Sequence, residues 1–370
     1  MLNVKYDIVG SFLRTEPIHK ARAAYAAGKI SLARLREIED EEIAKLVALE
    51  VSHGLQYVTD GEFRRKWWHL DWLKEFDGFT TDPESFLECR LNGQVNQIER
   101  GRISGKISYN PAKHHPEVAA FDFLRQEAEK YPGITPKKCI SGPNMILVEN
   151  YLGLGKKEVP YYGTDIDAVI EDIGRAYQAA ILDFYHHGCR YLQIDDVSWV
   201  CMVDDKYLHR TEELGFTKEQ VLDWFRRVST LALENHPADM TIATHFCKGN
   251  FKGHALLSGF YDSVAEVVSQ VPYDLFFVEY DDARSGSFAP WAHLRDTGAT
   301  FVAGLISTKN PMLEDHDELK RRFLEAKAVV GDRIALSPQC GFASVEEGNG
   351  IDESVQWQKI DLLVSCRDFL

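Results

Sequence analysis

Hydrophobic and polar positions follow two recurring patterns along the chain. Short runs rich in Val, Ile and Phe stay apolar until their last two or three residues, which is typical of parallel strands covered on both faces. Longer stretches between them, such as residues 166–188 and 218–236, place apolar residues three or four positions apart and predict amphipathic helices. Strands are predicted over residues 6–11, 56–62, 137–143, 191–196, 240–247, 274–281, 300–307 and 333–340.

Eight strands with intervening helices favour a (β/α)8 TIM barrel of the α/β class over an open sheet. No Gly-x-Gly-x-x-Gly motif follows any of these strands, which weakens the alternative of a dinucleotide-binding sheet. Residues 63 to about 136 are polar, contain glycines and alternate, so they predict an inserted, hairpin-like excursion after the second strand. Because no Ser/Gly linker or low-complexity tract interrupts the chain, residues 1–370 are predicted to form a single domain.

Composition and charge narrow the class of protein. The chain has 370 residues, is 45% hydrophobic and carries a net charge of −15, without a dense Lys/Arg tract, which argues against nucleic acid or an anionic membrane as partner. No apolar run approaches the ~20 residues that span a bilayer, and the N-terminus does not resemble a signal peptide. Seven scattered cysteines without paired spacing therefore predict reduced thiols in a cytoplasmic protein.

Polar side chains collect at the predicted carboxyl ends of the strands, where TIM barrels place their active sites. His245 and Cys247 in "TIATHFCKGNF" lie two positions apart on one strand and therefore point the same way. Glu279 ends the sixth predicted strand and Cys340 ends the eighth, so all four could meet at the barrel mouth. Together they predict a four-coordinate Zn²⁺ site, and the alternative is that they are separate buried residues.

The proposed ligand types indicate a reaction class. Hydrolytic zinc sites usually use histidines and carboxylates, which leave the ion acidic enough to activate water. Two thiolates donate more charge to the metal and suit a zinc that holds an incoming thiol as a nucleophilic thiolate. Zinc-activated thiol alkylation is therefore the predicted chemistry, and a zinc hydrolase is less favoured.

Seven motifs in the same order resemble those of the cobalamin-independent methionine synthase family, in the short form that carries only the catalytic barrel. The resemblance runs from about residue 8 to residue 360. It implies an enzyme in which a zinc-bound homocysteine thiolate attacks the methyl group of a 5-methyltetrahydrofolate-type donor and gives methionine. The motifs are "IVGSF", "VTDGEFRR", "QIDD", "THFCKGNF", "VEYDDARSGSF", "LISTKNP" and "SPQCGFAS".

The resemblance also implies roles for individual residues. It implies four zinc ligands: His245, Cys247, Glu279 and Cys340. Ser11, Glu62 and Asp195 would hold the amino-acid part of homocysteine, with the two carboxylates facing its ammonium group. A salt bridge or a helix cap is the alternative reading of Glu62 and Asp195.

The methyl donor and the catalytic acid are less well defined. The family carries an Asp-x-His-Ser run after the seventh strand whose histidine relays a proton, but residues 305–308 here read Leu-Ile-Ser-Thr, so no such histidine lies near Ser307. Other donors or acceptors therefore stay open: a methylcorrinoid, an S-methyl compound, or an epoxide with coenzyme M. A non-catalytic zinc-binding barrel is a further alternative, and a homo-oligomer is possible.

Tryptophans follow the second predicted strand in "KWWHLDW", where Trp67, Trp68 and Trp72 lie within six positions. An aromatic side chain at the barrel mouth could stack on a pterin ring. Packing in the core or between subunits is the interpretation that we favour for them.

Overall fold

The computed structural model describes residues 2–91 and 94–370. Six of its strands, between residues 138 and 338, form one parallel sheet in which every strand pairs with its neighbour in chain order. The strands are β1 Tyr57–Val58, β2 Asp77–Leu91, β3 Gln94–Ser108, β4 Thr135–Pro136, β5 Lys138–Ser141, β6 Tyr191–Asp195, β7 Thr241–Phe246, β8 Leu275–Glu279, β9 Thr300–Ile306 and β10 Ile334–Pro338.

Helices connect these strands, as expected for parallel βα units. The long ones begin at capping residues: Asp165 accepts from Ala168 N, and Thr217 forms a capping box with Gln220. The α-helices are α1 Glu16–Ala26, α2 Leu32–Ser52, α3 Leu70–Leu73, α4 Pro116–Ala128, α5 Asn144–Leu147, α6 Ile166–His186, α7 Ser198–Cys201, α8 Asp205–Glu213, α9 Lys218–Leu233, α10 Ala265–Val268, α11 His316–Val330 and α12 Glu353–Ser365. A π-helix spans Val148–Gly153, and short 3-10 helices span Tyr261–Ser263, Ala283–Ser285, Ala289–Asp296 and Cys366–Asp368.

The N-terminal segment closes the sheet into a barrel. Tyr6 forms an isolated parallel bridge with Leu336 of β10, and the Gly10 carbonyl accepts a 2.7 Å hydrogen bond from the Thr59 hydroxyl beside β1. β1 pairs in parallel with β4, which leads directly into β5. The TIM-barrel prediction is thereby confirmed, as the comparisons below also show.

The first two predicted strands are much shorter than expected. The segment 6–11 makes a single bridge because the Asp7 carboxylate accepts a bond from the Ile8 amide, which takes that amide from the ladder. The predicted strand 56–62 ends at Val58 because Gly61 and Glu62 adopt φ angles of 61° and 55°, which turn the chain. Short polar contacts of this kind are not visible in an apolar pattern.

A buried ion pair joins the segments around the barrel closure. The Lys137 ammonium lies 2.8 Å from Asp7 Oδ2, and the same carboxylate oxygen accepts a 2.7 Å bond from the Tyr191 hydroxyl. Asp7 and Lys137 are each 1% exposed, so this pair stays protected from water. It links the N-terminal segment to the third and fourth barrel strands.

Two apolar layers lie on opposite faces of the sheet. The smaller one fills the barrel and includes Ala243, Phe277 and Val302, whereas Phe246 belongs to the larger layer between the sheet and the helices. Because strand side chains alternate, His245 shares the inward side with Ala243, two positions before it. The packing of β7 thus directs the imidazole into the barrel.

The predicted excursion is confirmed as a hairpin. β2 and β3 pair in antiparallel register, with irregularities after Asp77 and Asp82, and α4 follows them. Ile98 of the hairpin packs with Phe251, Val345 and the partly buried Trp67, which fastens it over the carboxyl end of the barrel. The single-domain organisation over residues 1–370 stays a prediction. Within the described residues, no helix combines the length and apolar character that a membrane crossing needs.

Candidate metal and substrate site

A cavity of about 410 Å³ opens at the carboxyl ends of the barrel strands. β6 ends at Asp195, β7 carries His245 near its end, and Cys247 and Cys340 follow β7 and β10. The cavity wall contains six of the seven predicted site residues: Ser11, Glu62, Asp195, His245, Cys247 and Cys340. The structure therefore brings the predicted thiol and amino-acid ends of the site into one space.

His245, Cys247 and Cys340 form a compact buried cluster. One potential ligand atom from each lies within 4.8 Å of the others, and the two sulfur atoms are 3.9 Å apart as free thiols. Both ring nitrogens of His245 are buried without a hydrogen-bond partner. Because a buried polar atom without a partner is costly, these nitrogens and sulfurs fit a soft metal ion such as Zn²⁺ better than a packed core.

The cluster also has unequal proton affinities. The neighbouring Cys247 thiol lowers the pKa of Cys340 well below its usual value, while the same contact and burial raise the pKa of Cys247. Burial alone would lower the pKa of His245, but Cys340 and the Asp195 carboxylate raise it overall. One thiolate is thus already favoured among the three side chains.

Glu279, the fourth predicted ligand, has other partners in this structure. Its Oε1 lies 2.8 Å from the Lys309 ammonium and its Oε2 accepts a 2.7 Å bond from the Lys248 amide. Burial raises the pKa of Glu279, and the Lys309 charge opposes that rise. Glu279 is 1% exposed and does not line the cavity, so as a ligand it would first have to release Lys309. Its ligand role stays a prediction.

Glu62 and Asp195 face each other on the cavity wall. A carboxylate oxygen of each, together with the Cys139 sulfur, lies within 4.8 Å of the other two. Glu62 pairs with the Arg65 guanidinium, whereas Asp195 accepts a 2.7 Å bond from the neutral Gln193 amide. Burial raises the pKa of Asp195, His245 opposes the rise, and Glu62 adds to it. Two carboxylates, of which Glu62 alone has an ion-paired cation among the described residues, form a site that favours a further cation.

Ser11 lies beside the loop that carries Cys340. Its hydroxyl accepts a 3.3 Å bond from the Ala343 amide, and a side chain at Gly341 would come within 2.0 Å of the Ser11 oxygen. Glycine is therefore needed at position 341 for this close approach. The arrangement holds Ser11 near the loop that carries Cys340.

Sequence reasoning missed several residues of the site. Arg65 pairs with Glu62 three positions earlier, a spacing that "DGEFRR" displays, but the pair depends on the turn at Gly61. Lys309 reaches Glu279 from a different loop, for which the chain offers no local signal. Trp67 and Trp68 line the cavity, whereas Trp72 packs in the core against Phe76.

The fold and the site define a class: an α/β barrel with a candidate thiolate-rich metal centre in a cavity at its catalytic end. The chain belongs to the family described as cobalamin-independent synthase, catalytic domain, whose model matches residues 6–353. This match confirms the family resemblance found in the motifs. The family is one of methionine synthase-like methyltransferases.

Three similar proteins extend this finding. YxjG from Bacillus subtilis (strain 168), an uncharacterized protein, is 39% identical over 360 residues, which cover 96% of this chain and 91% of that protein. A Listeria monocytogenes structure that carries the name of a vitamin-B12 independent methionine synthase matches with a TM-score of 0.76 and 30% identity over 98% of this chain and 96% of its own. A B12-independent methionine synthase from Shewanella sp. W3-18-1, in complex with selenomethionine, shares the fold with a TM-score of 0.72 and 14% identity, covering 99% and 97%.

Zinc binding tests the buried cluster. We expect the purified protein to bind about one zinc per chain, and Cys340→Ala to lose most of it because one of two thiolate ligands is gone. Cys201→Ala is the matched control, since Cys201 is also a buried cavity cysteine but lies outside the cluster. Metal analysis after dialysis measures both variants, and full zinc retention in Cys340→Ala would remove Cys340 from the ligand set.

Proposed function

We propose that this protein is a zinc-dependent methyltransferase that moves a methyl group from a 5-methyltetrahydrofolate-type donor to the thiol of homocysteine, giving methionine. One observation carries the proposal: the cavity joins the His245, Cys247 and Cys340 cluster to the paired carboxylates of Glu62 and Asp195. A small amino acid with a terminal thiol would place its sulfur at the cluster and its ammonium group at the two carboxylates. The reduced thiols that the site needs also favour a cytoplasmic location.

The buried cluster supports the thiol half of the reaction. Zinc held by His245, Cys247 and Cys340, with Glu279 as the proposed fourth ligand, would keep the substrate thiol in its nucleophilic thiolate form at neutral pH. The cluster atoms lie at the cavity wall, so a substrate sulfur can approach them. Structural zinc sites are closed by four protein ligands, whereas here Glu279 is paired with Lys309 and the other three residues border the cavity, so the substrate sulfur could take the position that Glu279 leaves open, which favours a substrate-binding role over a non-catalytic one.

The acidic pair supports recognition of the amino-acid half. The Asp195 carboxylate accepts a hydrogen bond from the neutral Gln193 amide, and it would gain a charge-assisted bond from the substrate ammonium. Ser11, beside the loop that carries Cys340, would receive the substrate carboxylate through its hydroxyl. The sulfonate of coenzyme M would instead be repelled by Glu62 and Asp195, which disfavours the epoxide-opening alternative.

Aromatic and apolar side chains support a flat methyl donor. Four aromatic side chains also line the cavity: Trp67, Trp68, Tyr207 and Phe251. Such rings bind planar heterocycles by stacking, and a pterin is one. Both substrates are small molecules, and a homo-oligomer stays a possible arrangement of the chain.

A donor assay tests the whole proposal. We expect zinc-loaded protein to form methionine from homocysteine and 5-methyltetrahydrofolate or its polyglutamate, because the cavity combines a thiol site with an aromatic wall. Parallel reactions contain a methylcorrinoid or S-methylmethionine, and mass spectrometry detects methionine. Turnover only with one of these other donors would reject the folate half while keeping the thiol half, and no methionine from any donor would reject both.

Asp195→Asn tests amino-acid recognition. Loss of a charge-assisted contact of about 1.5–3 kcal/mol should raise the KM for homocysteine about 10- to 100-fold, with zinc content unchanged. Glu99→Gln is the matched control, because Glu99 also lines the cavity but pairs with Lys66 at the hairpin. Steady-state kinetics measures both. An unchanged KM in Asp195→Asn would contradict the assignment.

A further inference from the structure

We propose that His69 is the catalytic acid that protonates the nitrogen from which the methyl group departs, an inference that rests on the proposed function. His69 lies between the second barrel strand and α3, in the inserted segment. It is 4% exposed and lines the same cavity as His245 and the two cysteines. No such role follows from the motifs, whose expected proton-relay position near Ser307 lacks a histidine.

The His69 ring has one engaged and one free nitrogen. Nε2 lies 3.4 Å from Glu149 Oε1, while Nδ1 is buried without a hydrogen-bond partner. The carboxylate beside Nε2 fixes the orientation of the ring and leaves Nδ1 as the nitrogen that can donate to a bound molecule. This arrangement suits a general acid, because the ring is fixed in place and lines the cavity.

Glu149 is itself held in place. It belongs to the π-helix Val148–Gly153, and its Oε2 accepts a 3.1 Å bond from the Gly101 amide of β3. Glu149 also lines the cavity and is 9% exposed. The hairpin and the π-helix thus fix the carboxylate, which in turn positions His69. A π-helical turn of this kind often marks a functional site.

Other proton donors on the described cavity wall suit the task less well. Burial raises the pKa of the Tyr207 phenol and that of the Cys201 thiol, so each releases its proton less readily. Lys206 is exposed to solvent, and the His245 ring lies among the cluster sulfurs. His69 is buried, has a carboxylate partner and keeps one nitrogen without a partner.

The step balances without a further reactant. The homocysteine thiolate donates an electron pair to the methyl carbon and forms the S–CH3 bond. The C–N bond breaks, its electron pair stays on the donor nitrogen, and the His69 imidazolium gives that nitrogen a proton. Neutral His69 then regains a proton from solvent, so thiolate, N-methyl donor and one proton become methionine and the demethylated amine.

His69→Gln tests the assignment. General acid catalysis contributes about 10²- to 10⁴-fold, so kcat with 5-methyltetrahydrofolate should fall by that factor. The KM for homocysteine should stay within about threefold of the wild-type value, and the zinc content should not change. Neither the cluster nor the acidic pair is altered by this substitution. Glu149→Gln should lower kcat by a smaller factor, since it only positions His69.

The same insertion offers a matched control. His115 is a second buried histidine beside a carboxylate, with Nδ1 3.0 Å from Glu75 Oε2, but it does not line the cavity. His115→Gln should therefore keep the wild-type kcat. If His69→Gln keeps kcat within about threefold of wild type, or loses zinc or homocysteine binding together with kcat, the catalytic role is overturned.

Failure of the proposed function gives a different result. A wild-type protein that forms methionine only from S-methylmethionine or a methylcorrinoid overturns the His69 role, because those leaving groups need no proton, but keeps thiol methylation. A wild-type protein that forms no methionine from any donor overturns both proposals. An active wild type with an equally active His69→Gln overturns the His69 role alone.

Discussion

The curvature of the parallel sheet is the constraint on which the candidate site depends. β7 and β10 are separated by β8 and β9, so in a flat sheet they would lie about 14 Å apart, three spacings of about 4.8 Å. The sulfur atoms that follow these two strands are nevertheless 3.9 Å apart. Closure of the barrel, supported by the buried pair of Asp7 and Lys137, turns distant strands into neighbours at the mouth.

The inserted segment after the second strand adds aromatic and histidine side chains to the cavity wall. The barrel strands supply the cluster and Asp195, whereas Trp67, Trp68 and His69 come from the segment after the second strand. Trp67 also forms an isolated bridge with Val345, in the loop that follows Cys340. The insertion therefore provides part of the cavity wall.

Much of this arrangement could be predicted from the sequence, because it depends on local periodicity. The apolar runs indicated the barrel strands, and the two-residue spacing of His245 and Cys247 placed both on one side of β7. The alternating polar stretch indicated the hairpin. The roles proposed for His245 and Cys247 stay predictions. Both line the cavity, as their position at the end of β7 led us to expect.

The remainder depends on contacts between distant parts of the chain. The pairing of Glu279 with Lys309 joins the end of β8 to the loop after β9, 30 residues later, and nothing in the order of residues indicates it. The position of His69 depends on a carboxylate of the π-helix that is itself held by a hairpin amide. In the shortened first strand, side chains bond both the Ile8 amide and the Val9 carbonyl, groups that a longer ladder would use. These contacts depend on how side chains from distant segments meet in the folded chain, which local periodicity does not indicate.

We propose above that the cluster of His245, Cys247 and Cys340 holds a zinc ion that accepts the substrate thiol. X-ray absorption spectroscopy of the zinc-loaded protein tests this most directly, because it counts the sulfur atoms around the metal. We expect two sulfurs, from Cys247 and Cys340, without substrate and a third sulfur after homocysteine is added. A sulfur count that does not change when homocysteine is added would contradict it.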